Sequence, residues 1–190
     1  MSSPSAISYP TAIAHAVLSF SSAWAIFQVQ ECLFAVIGFS LYLINGILGV
    51  LAYGMPQSGI KLYKFYSGVL LCCLSFGLPL FVSQLYINNG FPETLALIHF
   101  ILPFACIYSS GRFKKYNGFQ DSVQFLYLLF LVYISLIKGY YFGISSALSF
   151  LIAFYVIGPT GTVQNTPSRD LFNYALSFSV YFLIQALRGR

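Results

Sequence analysis

The chain has 190 residues, of which 58% are hydrophobic and only 7% charged, with a net charge of +5 and a pI near 9.0. A soluble domain carries roughly 25% charged residues to solvate its surface, so this composition excludes an ordinary water-soluble fold and points to a lipid bilayer. The few charges, Lys61, Lys64, Arg112, Lys114, Lys115, Lys138, Arg169, Arg188 and Arg190 against Glu31, Glu93, Asp121 and Asp170, fall between apolar runs.

A membrane helix needs roughly 20 mostly apolar residues. In chain order, candidate spans cover residues 9–28, 33–53, 63–87, 93–110, 121–137, 140–158 and 170–187. Gln28, Gln30 and Glu31 end the first, Gly54-Met55-Pro56 the second and Asn88-Asn89-Gly90 the third. The last four are near the lower length limit. The expected fold is therefore all-α, a single polytopic transmembrane bundle of about seven spans over residues 1–190. Residues 1–10 lack a basic n-region, so no cleaved signal peptide is expected. Residues 159–167 read as a loop, and Asp170 as the N-cap of the last helix.

Seven crossings would put Lys61, Lys64, Arg112, Lys114, Lys115 and Arg169 on one face, with Lys138, Arg188, Arg190, Glu31 and Glu93 on the other. The positive-inside bias then places the N-terminus in the cytoplasm and the C-terminus across the membrane. The basic excess is explained by topology and headgroups, not by nucleic acid. Lys61, Lys64, Arg112, Lys114 and Lys115 are accordingly candidate contacts for lipid headgroups or a partner.

Gly139 and Gly143 form a GxxxG continued by Ser145, Ser149 and Ala153. Small residues at that spacing let helices approach closely in lipid, so the sixth span is expected to form the tightest pair. Pro79 and Pro103 lie inside the third and fourth spans and should kink them. Aromatic clusters such as Tyr63-Lys64-Phe65-Tyr66 match interfacial belts.

Chemistry is sparse. His15, Asn45, His99 and Asn173 are the main polar residues inside spans, with Gln84 and Gln185 nearer their ends. His15 and His99 could meet as an acid/base or ligand pair, or each could make a structural hydrogen bond between helices. The chain has no GxSxG, no HExxH, no phosphate loop and no acidic cluster. Its four cysteines, Cys32, Cys72, Cys73 and Cys106, form no CxxC and read as small hydrophobes, with Cys32 placed for palmitoylation. No catalytic residue, metal site or cofactor is expected.

Three stretches resemble a family of small multispan proteins, the transmembrane-protein-276-like family: Thr11 to Leu18; Gly77-Leu78-Pro79-Leu80 with Asn89-Gly90; and Asp170, Tyr174 to Ser177, Ala186 and Leu187. Their order runs along nearly the whole chain, while the region from Arg112 to Phe119 departs from the pattern. The resemblance implies a non-enzymatic endoplasmic-reticulum protein beside a larger membrane-anchored partner. That implies an accessory subunit admitting membrane phospholipid into a bridge-like lipid-transfer protein at a contact site. The alternative is a small-solute transporter or channel lined by His15, Asn45, His99 and Asn173.

Overall fold

The structure, a computed structural model, describes residues 8–55, 59–99, 101–112 and 117–189. Helices dominate: α1 (Tyr9–Gln28), α2 (Leu33–Gly54), α3 (Gly59–Asn88), α4 (Glu93–Ile98), α5 (Ile101–Arg112), α6 (Asn117–Lys138), α7 (Tyr141–Leu151) and α8 (Ser168–Leu187). A π-helical turn, Ile152–Ile157, extends α7, and two short strands, β1 (Thr162–Val163) and β2 (Thr166–Pro167), precede α8.

Among the described residues, four helices are long and apolar enough to cross a membrane: α1, α2, α3 from Leu62, and α6 from Gly118. At 1.5 Å per residue, the 20 residues of α1 reach about 30 Å, the thickness of the hydrocarbon core. These helices make the chain compatible with an integral membrane protein. Large apolar side chains stand exposed on their outer faces, among them Phe20, Ile47, Phe65 and Leu136.

The other three of the seven expected spans differ from these four. The fourth is described as α4 and α5, with residue 100 between them outside the described residues, and is short. Tyr141–Ile157 is apolar but short. The last, α8, has 20 residues but carries Arg169, Asp170, Asn173 and Gln185. Twelve of those 20 are buried, so much of its polarity faces other helices rather than the surface.

Neighbours in sequence pack antiparallel. Ala12 faces Gly54 while His15 faces Gly49 across α1 and α2. Gly38 faces Phe81 while Tyr53 meets Tyr66 across α2 and α3. Ser146 bonds Ser179 while Phe154 meets Phe172 across α7 and α8. In contrast α1 and α8 run parallel, because Trp24 stacks on Tyr181 and Gln28 bonds Arg188. The main core gathers Phe39, Tyr42, Phe81, Tyr127, Leu131 and Val180. A second, tyrosine-rich cluster of Tyr53, Tyr63 and Tyr66 sits at the end that holds the start of α1.

Glycine and proline set the ends. Gly90 and Gly139 take left-handed φ of 77° and 71°. After α3, Phe91 N–H donates to Tyr86 O and Gly90 N–H to Ile87 O; after α6, Tyr140 N–H donates to Ser135 O and Gly139 N–H to Leu136 O. Both are Schellman caps. Asp170 is not the N-cap of α8: the helix begins at Ser168, with Pro167 as cap, and Asp170 lies in the first turn. A carboxylate there still complements the helix dipole. Residues 162–167, read as a loop, form a hairpin whose turn residues Gln164 and Asn165 take φ of 48° and 66°. Both central residues being left-handed is the requirement of a type I′ turn.

Candidate functional site

Four elements converge on His15. The ring occupies space that Gly49 leaves free: a Cβ on Gly49 would lie 2.3 Å from His15 Cγ and Nδ1. Gly46 lets α1 approach in the same way, since its Cβ would lie 2.2 Å from Ser19 Oγ and 2.8 Å from the His15 carbonyl oxygen. The imidazole stacks on Tyr53, with centroids 5.7 Å apart and planes 8° from parallel, and meets Tyr66 edge-on at 5.4 Å. The Tyr66 hydroxyl lies 3.3 Å from His15 Nε2. Arg169, at the start of α8, lays its guanidinium over both tyrosine rings, 5.2 Å from Tyr53 and 5.6 Å from Tyr66.

This cluster is closed. His15 is 0% exposed. His15 Nδ1, Tyr53 Oη, Arg169 Nε and Asp170 Oδ1 are buried without a hydrogen-bond partner among the described residues. Stacking and cation–π attraction hold the group, the latter worth about 0.5–2 kcal/mol per contact.

His99 lies elsewhere, capping α4. Its ring packs edge-on against Tyr86, Tyr127 and Phe130. Pro103 lies in the first turn of α5. It has no N–H for the His99 carbonyl four residues back, and the Tyr127 hydroxyl donates to that carbonyl instead. Pro79 is different: α3 continues through it. Beside the Ser75 carbonyl that Pro79 cannot serve, the Leu74 carbonyl accepts from Gln124 Nε2. The two histidines share no ring partner, so the acid/base pairing considered from the sequence does not form. Asn45 and Asn173 are buried, with Asn45 Oδ1 and Asn173 Nδ2 unpartnered among the described residues. Gln84 accepts from the Phe34 N–H at 2.9 Å and so satisfies one open donor at the start of α2.

The small-residue stripe is only partly a packing face. Gly143 and Ala153 are buried, and a Cβ on Gly143 would lie 2.1 Å from Ser135 Oγ. Gly139 meets nothing within 4 Å among the described residues and is a cap. Ser145 and Ser149 are half-buried and bond carbonyls of their own helix. The interior face runs instead through Ser146, which shares a 2.9 Å hydrogen bond with Ser179. Gly46 and Gly49 bring α1 comparably close to α2, against the His15 backbone and ring.

Of the basic candidates, Lys64 is exposed on α3. Lys61 and Arg112 fall on α3 and α5 with side chains outside the described set, and Lys114 and Lys115 lie outside the described residues. Arg169, read from the sequence as a headgroup-facing charge, instead covers two tyrosines. Its role was missed because a charge at a span end looks solvated until its ring partners are known.

Two grooves open on the outer surface. One, of about 480 Å³ between α1 and α8, is lined by Val17, Ser21, Tyr174, Phe178 and Tyr181. The other, of about 370 Å³ between α1 and α2, is lined by Ala16, Phe20, Leu43, Ile47 and Leu51. No group of three or more His, Cys, Asp or Glu side chains that could hold a metal occurs among the described residues. No protein-family model, curated protein or solved structure matches the chain.

Proposed function

We propose that the chain is a non-catalytic integral-membrane accessory subunit that helps admit phospholipid into a larger, membrane-anchored, bridge-like lipid-transfer partner at the endoplasmic reticulum. In this reading all seven segments cross, and the N-terminus is cytoplasmic. The observation that carries the proposal is the division of roles between interior and surface. The two histidines are committed to separate aromatic packing sites, while apolar grooves between helices face outward. The organelle and the partner class come from the family resemblance.

Gentle-detergent affinity purification from native tissue, with mass spectrometry of proteins and lipids, tests it. A large lipid-channel protein in near-equal amount, together with phospholipid, supports the proposal; a chain that purifies alone and lipid-free refutes it. Tags on the two termini should be accessible from opposite sides of the membrane, and same-side access would reject seven crossings.

The unpartnered polar atoms of His15, Asn45 and Asn173 favour a second reading, a small-solute transporter or channel. Flux in proteoliposomes that is lost in His15→Ala and His99→Ala would support it. Absence of flux from the wild type would reject it.

A further inference from the structure

At the end of the bundle opposite the His15 cluster, a cleft of about 840 Å³ is lined by Phe27, Gln28, Glu31, Asn88, Tyr140 and Arg188. Its volume falls within the roughly 300–1,000 Å³ of small-molecule sites. Its walls are pinned by side-chain hydrogen bonds. Gln84 Nε2 donates to Asn88 Oδ1 at 2.8 Å, and Asn88 Nδ2 donates to the Leu187 carbonyl at 3.3 Å. Tyr140 Oη donates to Asn89 Oδ1 at 3.0 Å. The starts of α2 and α7 and the ends of α1, α3 and α8 are thus brought around one polar space.

The charges in that space are one of each sign. Arg188 is exposed and donates from Nη1 to Gln28 Oε1 at 2.9 Å. Its partner is thus an amide rather than Glu31, whose exposed carboxylate lines the same cleft. A guanidinium suits a phosphate by charge and fork geometry. A carboxylate suits an ammonium, and the Phe27 and Tyr140 rings offer faces to a quaternary amine. An anionic headgroup would meet Arg188 but be repelled by Glu31.

The cleft continues a seam. On α1, Gln28 lies about 10 Å along the helix from Ser21, at 1.5 Å per residue. Ser21 lines the apolar α1–α8 groove. Between the two, Trp24 stacks on Tyr181 with centroids 6.1 Å apart, and both rings are partly exposed. Such amphipathic rings favour the boundary between headgroups and acyl chains. Polar cleft, aromatic pair and apolar groove follow the order of headgroup, glycerol and acyl chain in one lipid.

We infer that the α1–α8 seam is a binding site for a single zwitterionic phospholipid. Arg188 takes the phosphate, Glu31 faces the amine, and an acyl chain lies along Val17, Ser21, Tyr174 and Phe178. The inference rests on the lipid-handling reading above and names its headgroup class.

The test uses the purified full chain in nanodiscs of equal phosphatidylcholine and phosphatidylglycerol, with retained lipid measured by native mass spectrometry. Wild type retains phosphatidylcholine in preference. Glu31→Gln shifts the retained ratio toward phosphatidylglycerol by about tenfold, and Arg188→Gln loses about tenfold of both, the scale of one charge-assisted hydrogen bond. Both residues are exposed, so melting temperatures stay at the wild-type value. Wild-type preference for phosphatidylglycerol, or an unchanged ratio in Glu31→Gln, overturns the site. Displacement of lipid by an equal concentration of soluble glycerophosphocholine overturns its assignment to a membrane lipid. Co-purification of the large partner with no headgroup preference rejects this site alone; headgroup preference without any partner rejects the accessory-subunit reading and leaves the site standing.

Discussion

Replacing Gly49 by alanine is the sharpest perturbation of the α1–α2 pair. The new methyl would sit 2.3 Å from His15 Cγ and Nδ1 and 2.5 Å from Cδ2. Ordinary carbon contacts lie at about 3.5–4.0 Å. More than an ångström must therefore be found by moving the ring or parting the helices. The ring has little freedom, since it is stacked on Tyr53, edge-on to Tyr66 and fully buried. Overpacking of this kind costs up to about 3 kcal/mol. Alanine's better helix propensity returns about 1 kcal/mol, leaving a net loss of about 2 kcal/mol. For a chain of this size that corresponds to a fall of about 4–8 °C in melting temperature, readable by fluorescence-detected thermal unfolding in detergent. Gly68→Ala on α3, where nothing lies within 4 Å of the new methyl, should hold or raise the melting temperature by the same propensity argument. Removing the ring should relieve the clash, so Gly49→Ala should cost less in a His15→Ala background. A Gly49→Ala protein that melts at the wild-type temperature, or additive effects of the two changes, would refute the account.

Three further outcomes follow from the same packing. Tyr127→Phe leaves the His99 carbonyl without its hydroxyl donor and should destabilise by about 1–3 kcal/mol, with a smaller loss when Pro103→Ala restores a backbone N–H to the same carbonyl; a double-mutant cycle of thermal stability reads this. Arg169→Gln should lower stability by about 0.5–2 kcal/mol through loss of its tyrosine contacts, and Arg169→Lys should recover part of it because the cation remains; equal melting of all three proteins would argue against cation–π packing. The two glycines of the GxxxG should fail for different reasons. Gly139→Ala should cost about 1 kcal/mol of left-handed strain, whereas the loss in Gly143→Ala should shrink in part when Ser135→Ala removes the nearer Oγ contact; thermal melts of the single and double variants check both.

Much of the helix layout was legible because polar and helix-breaking residues punctuate the apolar runs. Gln28 to Glu31, Gly54 and Asn89-Gly90 mark real helix ends, and the first two expected spans match α1 and α2 closely. In the fourth, hydropathy runs smoothly through His99 and Pro103 and gives no sign that the His99 carbonyl is served by Tyr127 of α6. The hairpin was hidden because Gln164-Asn165 carries no glycine to signal its left-handed turn. The close α1–α2 approach was overlooked because Gly46 and Gly49 lack GxxxG spacing, although a three-residue interval still places them near one helical face. Arg169 escaped notice because composition records its charge but not the tyrosines from α2 and α3 that meet it.

The donors supplied by α6 bear on the order of assembly. Gln124 and Tyr127, three residues apart on that helix, donate to carbonyls in the proline-bearing segments that are synthesised before it. Hydrocarbon offers the His99 carbonyl, which Pro103 leaves without a helical N–H, no substitute partner. A nascent chain that has released α3 to α5 but not yet α6 is therefore incomplete in its backbone bonding as well as in its packing. Chains truncated just before residue 117 should depend on membrane chaperones and be degraded quickly, and chains reaching residue 138 should persist. Pro103, in this light, ties the backbone bonding of the segment before it to a helix made later in the chain.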